Sequence, residues 1–388
     1  MVRIATEKFV NWITGMPMAL YDAVSSTFGP SGTDHSVGLV PDPGATPGTT
    51  RFLREDGTWV TINISYPNTG ILNGYLSYSV ASNNLTIALK TIANDGDPSP
   101  TDPVYVIFRD DTLNDGKLTV LEITSAQSIV IPDTATLGAS NNVAFKIWVV
   151  AFNDGGTFRL GVINTVSGTN IYPLGRNQIV SATQIGTGSD SAQTFYSSGA
   201  NVTSQPYTIL GYCTYETGLA TAGTYNTAPT VIIPFGLNIK LPGDTIQTVI
   251  NISGATVEGT TILPADNTIP LITEGVAVLT TIITAISAAN LFVANAQIVV
   301  KCSTGAAFLA SSALFIGGVT NSFAAVLTRG AVNQEYSIHN LNYLILCSST
   351  SACTFNIRTG AGAAGTTTIN NIFGGVANTF LNIQELQT

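Results

Sequence analysis

The chain has 388 residues, of which 45% are hydrophobic and only 10% are charged, and its formal net charge is −9. Charged residues usually make up roughly 25% of a soluble domain. The 14 basic residues are scattered singly, which disfavours nucleic acid and anionic membranes as main partners. Few charges combined with many Thr, Asn, Ser, Gly and Ala residues favour strands and neutral surfaces that are buried against copies of the same chain.

Residues 1–64 are predicted to form an attachment module. Apolar residues at spacings of three and four predict an amphipathic helix within residues 5–28, which Pro17 ends or kinks. A Gly/Pro-rich stretch follows, and Asp56-Gly57 predicts a hairpin turn. The apolar stripe of the helix either anchors the chain to a partner or packs on the next domain. The stripe consists of Phe9, Trp12, Ile13 and Met16.

Residues 65–256 are predicted to form a β-rich middle domain, either a sandwich or a barrel. Short apolar runs alternate with turn residues, and no run shows a periodicity of helical length. The clearest hairpin signals are the turn ASNN at residues 81–84 and the turn NDGG at residues 153–156.

Residues 257–272 are predicted to form a linker. Residues 273–388 are predicted to form a C-terminal jelly roll of short strands. Only nine residues after position 240 are charged, so this domain is predicted to bury a face between subunits. The uncharged run from Gly275 to Val300 resembles a membrane span in hydropathy. SAAN at residues 287–290 interrupts it, which favours two buried strands joined by a turn.

Side-chain alternation in TFLNIQEL, residues 379–386, predicts which residues form the subunit interface. Leu381 and Ile383 share one face of this strand and are predicted to lie in the domain's own core. Phe380 lies on the opposite face, where it is exposed unless a neighbouring subunit covers it. Tyr336 and Ile338 share a face of another predicted strand, so the three are candidate residues of a trimer interface.

Searches for catalytic, cofactor and metal motifs give no site. GAGAAG at residues 360–365 matches a dinucleotide-binding pattern, but β-branched residues follow it where a helix would have to begin. Neither His35 nor His339 has a second metal ligand at a useful spacing. Cys347 and Cys353 flank a possible turn, as packed thiols or a cross-strand disulfide. We therefore predict a non-enzymatic chain without cofactor or metal.

The segment HSVGLVPDPGATPGTTRFLREDGTW resembles a module found in fibre and other virion proteins of tailed bacteriophages. The stretches NGYLSYSVASNNLTIALK and WVVAFNDGGTFRLGVIN are similar to the β-rich module that often follows it. The C-terminal part, from TEGVAVLTTIITAIS to NTFLNIQEL, resembles the jelly-roll ends of phage fibres, whose fold is like that of the trimeric tumour-necrosis-factor and C1q heads. The resemblance covers nearly the whole chain from about His35.

The resemblance implies a homotrimeric tail fibre or receptor-binding protein of a virion, assembled in the cytoplasm of the bacterial host. Its N-terminus would bind other virion proteins, and its C-terminal head would bind a glycan or protein on the host surface, without membrane insertion. A capsid-attached head fibre or decoration protein is the alternative, because both reuse these modules. A glycan-degrading tailspike is a remote alternative, since no repeats of a parallel β-helix are found.

Overall fold

The computed structural model describes residues 51–53, 59–61, 70–109, 117–175, 178–234, 239–303, 308–330 and 335–388. Within these ranges the chain is all-β: it contains no α-helix and a single 3-10 turn, Phe373–Gly375. The all-β fold class is thus confirmed. The predicted N-terminal helix, with Phe9, Trp12, Ile13 and Met16, lies outside the described residues.

The chain divides into two units, Met1–Pro67 and Asn68–Thr388. In the first unit, strands β1 (Arg51–Leu53) and β2 (Trp59–Thr61) pair antiparallel. The two strands on either side of the predicted hairpin turn therefore pair, and Asp56-Gly57 itself lies outside the described residues.

The first part of the second unit contains short and medium strands. In chain order they are β3 (Ile71–Leu72), β4 (Gly74–Ala81), β5 (Asn84–Thr91), β6 (Val104–Arg109), β7 (Leu118–Ile123), β8 (Gln127–Ile131), β9 (Phe145–Asp154), β10 (Thr157–Ile163), β11 (Val166–Ser167), β12 (Asn170–Ile171), β13 (Ile179–Gln184), β14 (Tyr196–Ser197), β15 (Val202–Tyr215) and β16 (Val231–Pro234). The central sheet has the order β13-β14-β10-β9-β15-β16, and two three-stranded sheets, β3-β6-β7 and β4-β5-β8, accompany it.

Strand β9 is the centre of this part because both of its faces are buried. Ile147 and Val149 pack in one hydrophobic cluster, and Trp148 and Val150 pack in another on the opposite face. This explains why the sequence FKIWVVAF is almost continuously apolar instead of alternating. At its end the predicted NDGG turn is confirmed: β9 and β10 pair antiparallel across two glycines with positive φ.

The second part of the unit is an antiparallel sandwich. Its strands are β17 (Thr245–Ser253), β18 (Val257–Gly259), β19 (Val276–Thr284), β20 (Leu291–Ser303), β21 (Phe308–Ile316), β22 (Ala324–Gly330), β23 (Tyr336–Leu346), β24 (Ala352–Ala361), β25 (Thr366–Ile369) and β26 (Thr379–Leu386). One sheet has the order β17-β26-β20-β25-β18 with β23 paired to β20, and the other has the order β19-β24-β21-β22. Apolar side chains from both sheets, among them Ile298, Leu381 and Phe355, form its core.

The sandwich includes strands that precede residue 273, where the C-terminal domain was predicted to begin. Strand β17 lies within the predicted middle domain but pairs along its length with β26. The segment predicted as a linker at 257–272 contains β18, and its Leu263 is buried against Ala313 and Phe315 on the outer surface of the β19-β24-β21-β22 sheet. The chain itself therefore covers part of the outside of that sheet, at β21, whereas Ile282 of β19 is exposed.

The uncharged run of residues 275–300 forms β19 and β20, which are joined through SAAN as predicted. Glycines of GAGAAG connect β24 to β25, so a strand follows that motif, as its β-branched residues indicate. Among the described residues, no helix has the length and apolar character needed to cross a membrane.

Candidate functional site

The outward side of the β17-β26-β20-β23 sheet is a neutral surface. Strand register places side chains of four neighbouring strands in rows across it: Ile252, Phe380 and Gln297 lie in one row, and Asn382 and Asn295 lie in the next. We call this surface the neutral face. Its residues are Thr248, Ile250 and Ile252 of β17, Phe380, Asn382 and Gln384 of β26, Val293, Asn295, Gln297 and Val299 of β20, and Ile338, Asn340, Asn342 and Leu344 of β23.

Large apolar side chains on the neutral face are open to solvent. Ile250 is 55% exposed, and Ile252 and Ile338 are each 60% exposed. Beyond one end of the face, Lys301 and Glu258 lie in the same row on either side of Thr368. An uncharged sheet surface with several exposed isoleucines is the kind of patch that marks a contact site.

The structure brings the three sequence-predicted interface residues to the same side of one sheet. Phe380 is opposite Gln297 and Ile338 is opposite Val299 on β20. Tyr336 is opposite Lys301, whose amine lies 5.2 Å from the centre of the tyrosine ring, and the Tyr336 hydroxyl donates to the carbonyl of Asn371. Tyr336 therefore lies at the charged border of the neutral face.

Sequence reasoning missed Ile250 and Ile252 because it assigned their strand to another domain. The signal was present: Ile250 and Ile252 lie two positions apart with Asn251 between them, which is the spacing of one strand face. Nothing in the segment itself identifies its partner strand, because β26 follows β17 in the sequence only after all the other strands of the sandwich.

A second group of polar residues is buried where the two parts of the large unit meet. Lys146 of β9, Asn290 before β20 and Glu385 of β26 are each at most 2% exposed. The Lys146 amine donates to Asn290 Oδ1 at 2.8 Å, and Asn290 Nδ2 donates to Glu385 Oε1 at 2.6 Å. Nearby, Glu216 accepts hydrogen bonds from the Ser287 hydroxyl and the Ala288 amide. Sequence reasoning did not find this cluster.

His339 occupies a third buried position, inside the C-terminal sandwich. Its Nδ1 lies 2.7 Å from the Ser312 hydroxyl, which contacts the Thr359 hydroxyl at 2.8 Å, while Nε2 is buried without a partner. His339 is thus a strand residue with a hydrogen-bond partner at one of its two ring nitrogens. Burial lowers the pKa of His339 from 6.5 to about 4.

The depressed pKa of His339 predicts a loss of stability in acid. The unfolded chain takes up the proton near pH 6.5, whereas the folded chain resists it down to about pH 4, so stability falls as pH decreases through this window. At 1.36 kcal/mol per pKa unit, the loss is about 3 kcal/mol. His339→Gln should reduce that loss, as measured by urea unfolding at pH 6.5 and pH 4. Equal losses for both proteins would contradict the assignment.

Two carboxylates beside turns form local ion pairs. Asp97 pairs with Lys90 at 2.7 Å and Asp154 pairs with Arg159 at 2.6 Å, next to turns in both cases. All four cysteines have free thiols, including Cys347 and Cys353. No group of three potential metal ligands occurs in the described part of the chain. His35 lies outside the described residues.

No family model matches the sequence, and no curated protein matches it. Among solved structures, a match is found to the structure of the infectious bursal disease virus Gx strain. The two chains are 12% identical with a TM-score of 0.24, and the match covers 84% of this chain and 78% of that chain. The VP2 subviral particle of the same virus is 13% identical with a TM-score of 0.24, covering 84% and 79%. Disulfide-linked pili of Bacillus endospore appendages are 13% identical with a TM-score of 0.17, covering 39% and 99%. At these TM-scores the matches carry no argument about this chain.

Proposed function

We propose that this chain is a structural subunit of a virus particle and that copies of it assemble through the neutral face. The observation that carries the proposal is the contrast between the two sheets of the C-terminal sandwich. The outer side of one sheet is covered in part by the chain's own Leu263 and carries the charged Arg329. The neutral face of the other sheet carries no charge and keeps Ile250, Ile252 and Ile338 exposed. Burial of these side chains in a contact between copies removes apolar surface from water.

The absence of charge on the neutral face is compatible with contact between identical copies. Around a threefold axis the three copies of one residue approach one another, so a charge near the axis would be repelled by its own copies. Asn295, Asn382 and Asn342 instead lie side by side on three strands and offer both donors and acceptors. Such groups can bond to a second copy without burying charge.

The finer proposal is a trimeric fibre subunit that adheres to the host surface. It is supported by the resemblance of the sequence to phage fibre modules and to trimeric jelly-roll heads. Three copies would present each binding loop three times, which increases weak affinity through multivalency. The N-terminal stripe of Phe9, Trp12, Ile13 and Met16 is proposed to attach the fibre to the particle. Imaging of labelled protein on particles distinguishes a tail position from a capsid position.

The assembly proposal is tested by the mass of the full-length protein in solution at micromolar concentration. Wild type is expected to be a trimer, and Ile338→Lys is expected to be monomeric, because three ammonium groups would be placed in a poorly hydrated contact. Ile282→Lys is the matched control: Ile282 is 59% exposed but belongs to the other sheet. A monomeric wild type, or loss of assembly only in Ile282→Lys, would overturn the proposal.

A further inference from the structure

The buried cluster of Lys146, Asn290 and Glu385 has the composition and geometry needed to form a covalent bond. Lys146 Nζ lies 2.8 Å from Asn290 Oδ1. A carbonyl bond is about 1.23 Å long, so the amide carbon of Asn290 is at most about 4 Å from the amine. Glu385 Oε1 lies 2.6 Å from Nδ2 of the same amide. The Asn290 side chain therefore has an amine close to its amide carbon and a carboxylate hydrogen-bonded to its amide nitrogen.

The proton state of Lys146 suits a nucleophile. Burial lowers its pKa from 10.5 to about 7, although the negative charges of Glu216 and Glu385 oppose this shift. Near neutral pH a substantial fraction of the amine is thus uncharged and has a lone pair available for attack. A surface lysine at the same pH is almost entirely protonated.

We propose that Lys146 and Asn290 are joined by an intramolecular isopeptide bond, which the chain forms in its own folded core. The neutral amine attacks Cγ of Asn290, giving a tetrahedral intermediate. Glu385 transfers the proton that the lysine nitrogen loses to Nδ2. The Cγ–Nδ2 bond then breaks and ammonia leaves, so that an amine and a primary amide become a secondary amide and ammonia. No oxidant or cofactor is needed, and Glu385 ends the reaction in its starting form.

The surroundings hold the three groups in place. Backbone amides of Ile286 and Ser287 and the side chain of Gln247 donate to Glu385, which fixes the direction of its carboxylate. The ring of Tyr212 covers the Lys146 amine at 4.7 Å. Groups held in a fixed arrangement react as one unit, which favours a bond that forms without an enzyme.

Ammonia has a route away from the reacting atoms. A cavity of about 240 Å³ adjoins Lys146, and Ala289 and Asn164 contribute to its lining. A cavity of this size holds several water molecules, so the small product can leave and be replaced by water. Its departure makes the step irreversible in practice.

The mass of the intact, denatured wild-type protein tests the proposal directly. The expected value is lower than the sequence mass by one ammonia molecule. After denaturation and trypsin digestion, peptide 118–159, uncut at Lys146, should be found linked to peptide 241–301. The cross-link should also make the denatured chain migrate faster in a gel, since it closes a loop across 144 residues.

Three variants assign the bond to its residues. Lys146→Met and Asn290→Ala each remove a reacting group, so both proteins should have the full sequence mass. Glu385→Gln removes the group that transfers the proton, so this protein should either have the full sequence mass or lose ammonia more slowly after refolding. Lys301→Met is the matched control, because Lys301 lies on β20 away from the cluster, and its mass deficit should persist. Full sequence mass in folded wild-type protein, with peptides 118–146 and 241–301 separate, would overturn the proposal whatever the variants do. The test is independent of the proposed assembly.

Discussion

Leu381→Asp is expected to unfold the C-terminal sandwich, whereas Phe380→Asp on the opposite face of the same strand is expected to leave the fold intact. Leu381 is fully buried between the two sheets. Removing such a side chain costs about 2–5 kcal/mol before the charge is counted. A buried unpaired carboxylate adds several kcal/mol more, and the sum is comparable with the whole stability of a domain.

Phe380 has a different environment although it is the adjacent residue. It is only partly buried and lies between Ile252 and Gln297 on the neutral face. Phe380→Asp should therefore keep wild-type circular dichroism but lose the proposed trimer, because three carboxylates would approach one another. Thermal melting and solution mass of the two variants give the contrast. A folded Leu381→Asp protein, or a Phe380→Asp protein with unchanged assembly and melting, would show that the strand faces are assigned wrongly.

Glu385→Ala is expected to cause the second largest loss, about 3–5 kcal/mol in the free energy of unfolding. The carboxylate is fully buried, and its loss leaves buried donors without an acceptor and removes a negative charge near Lys146. The donors are the backbone amides of Ile286 and Ser287 and the side-chain amides of Asn290 and Gln247.

Glu258→Ala is the matched control for this prediction, since Glu258 belongs to the same sheet but is exposed and accepts one hydrogen bond, from Thr368. Its loss should stay within about 0.5 kcal/mol. Urea unfolding of both variants measures the difference. If Glu385→Ala unfolds at the same urea concentration as Glu258→Ala, the buried cluster does not stabilise the junction between the two parts of the unit.

The all-β class and the local hairpins follow from the sequence because they depend on neighbouring residues. ASNN and NDGG supply positive-φ turns between apolar runs, and β4-β5 and β9-β10 pair as the turns predict. The side-chain alternation in β26 likewise predicts that Leu381 and Ile383 face the core. These features require no knowledge of which distant strand is adjacent.

Long-range features could not be obtained in this way. Strand β17 could have belonged to either part of the unit, because its pattern fits any sheet edge with one buried face. The lone Lys146 within the apolar run FKIWVVAF does indicate a buried amine that needs an acceptor. Asn290, 144 residues further on, is one of many asparagines in the chain, and only the fold selects it.

The pairing of β26 with both β17 and β20 has a consequence for synthesis of the protein. Strand β26 lies between them, so the sheet has a gap until residues 379–386 have left the ribosome. Until then β17 and β20 each present an unpaired edge, and the core side of Leu381 and Ile383 is empty. A copy that stops before residue 379 cannot complete the sandwich, nor can it bring Glu385 to Asn290. A chain must therefore contain β26 to close this sheet, and a chain without it keeps two unpaired, aggregation-prone edges.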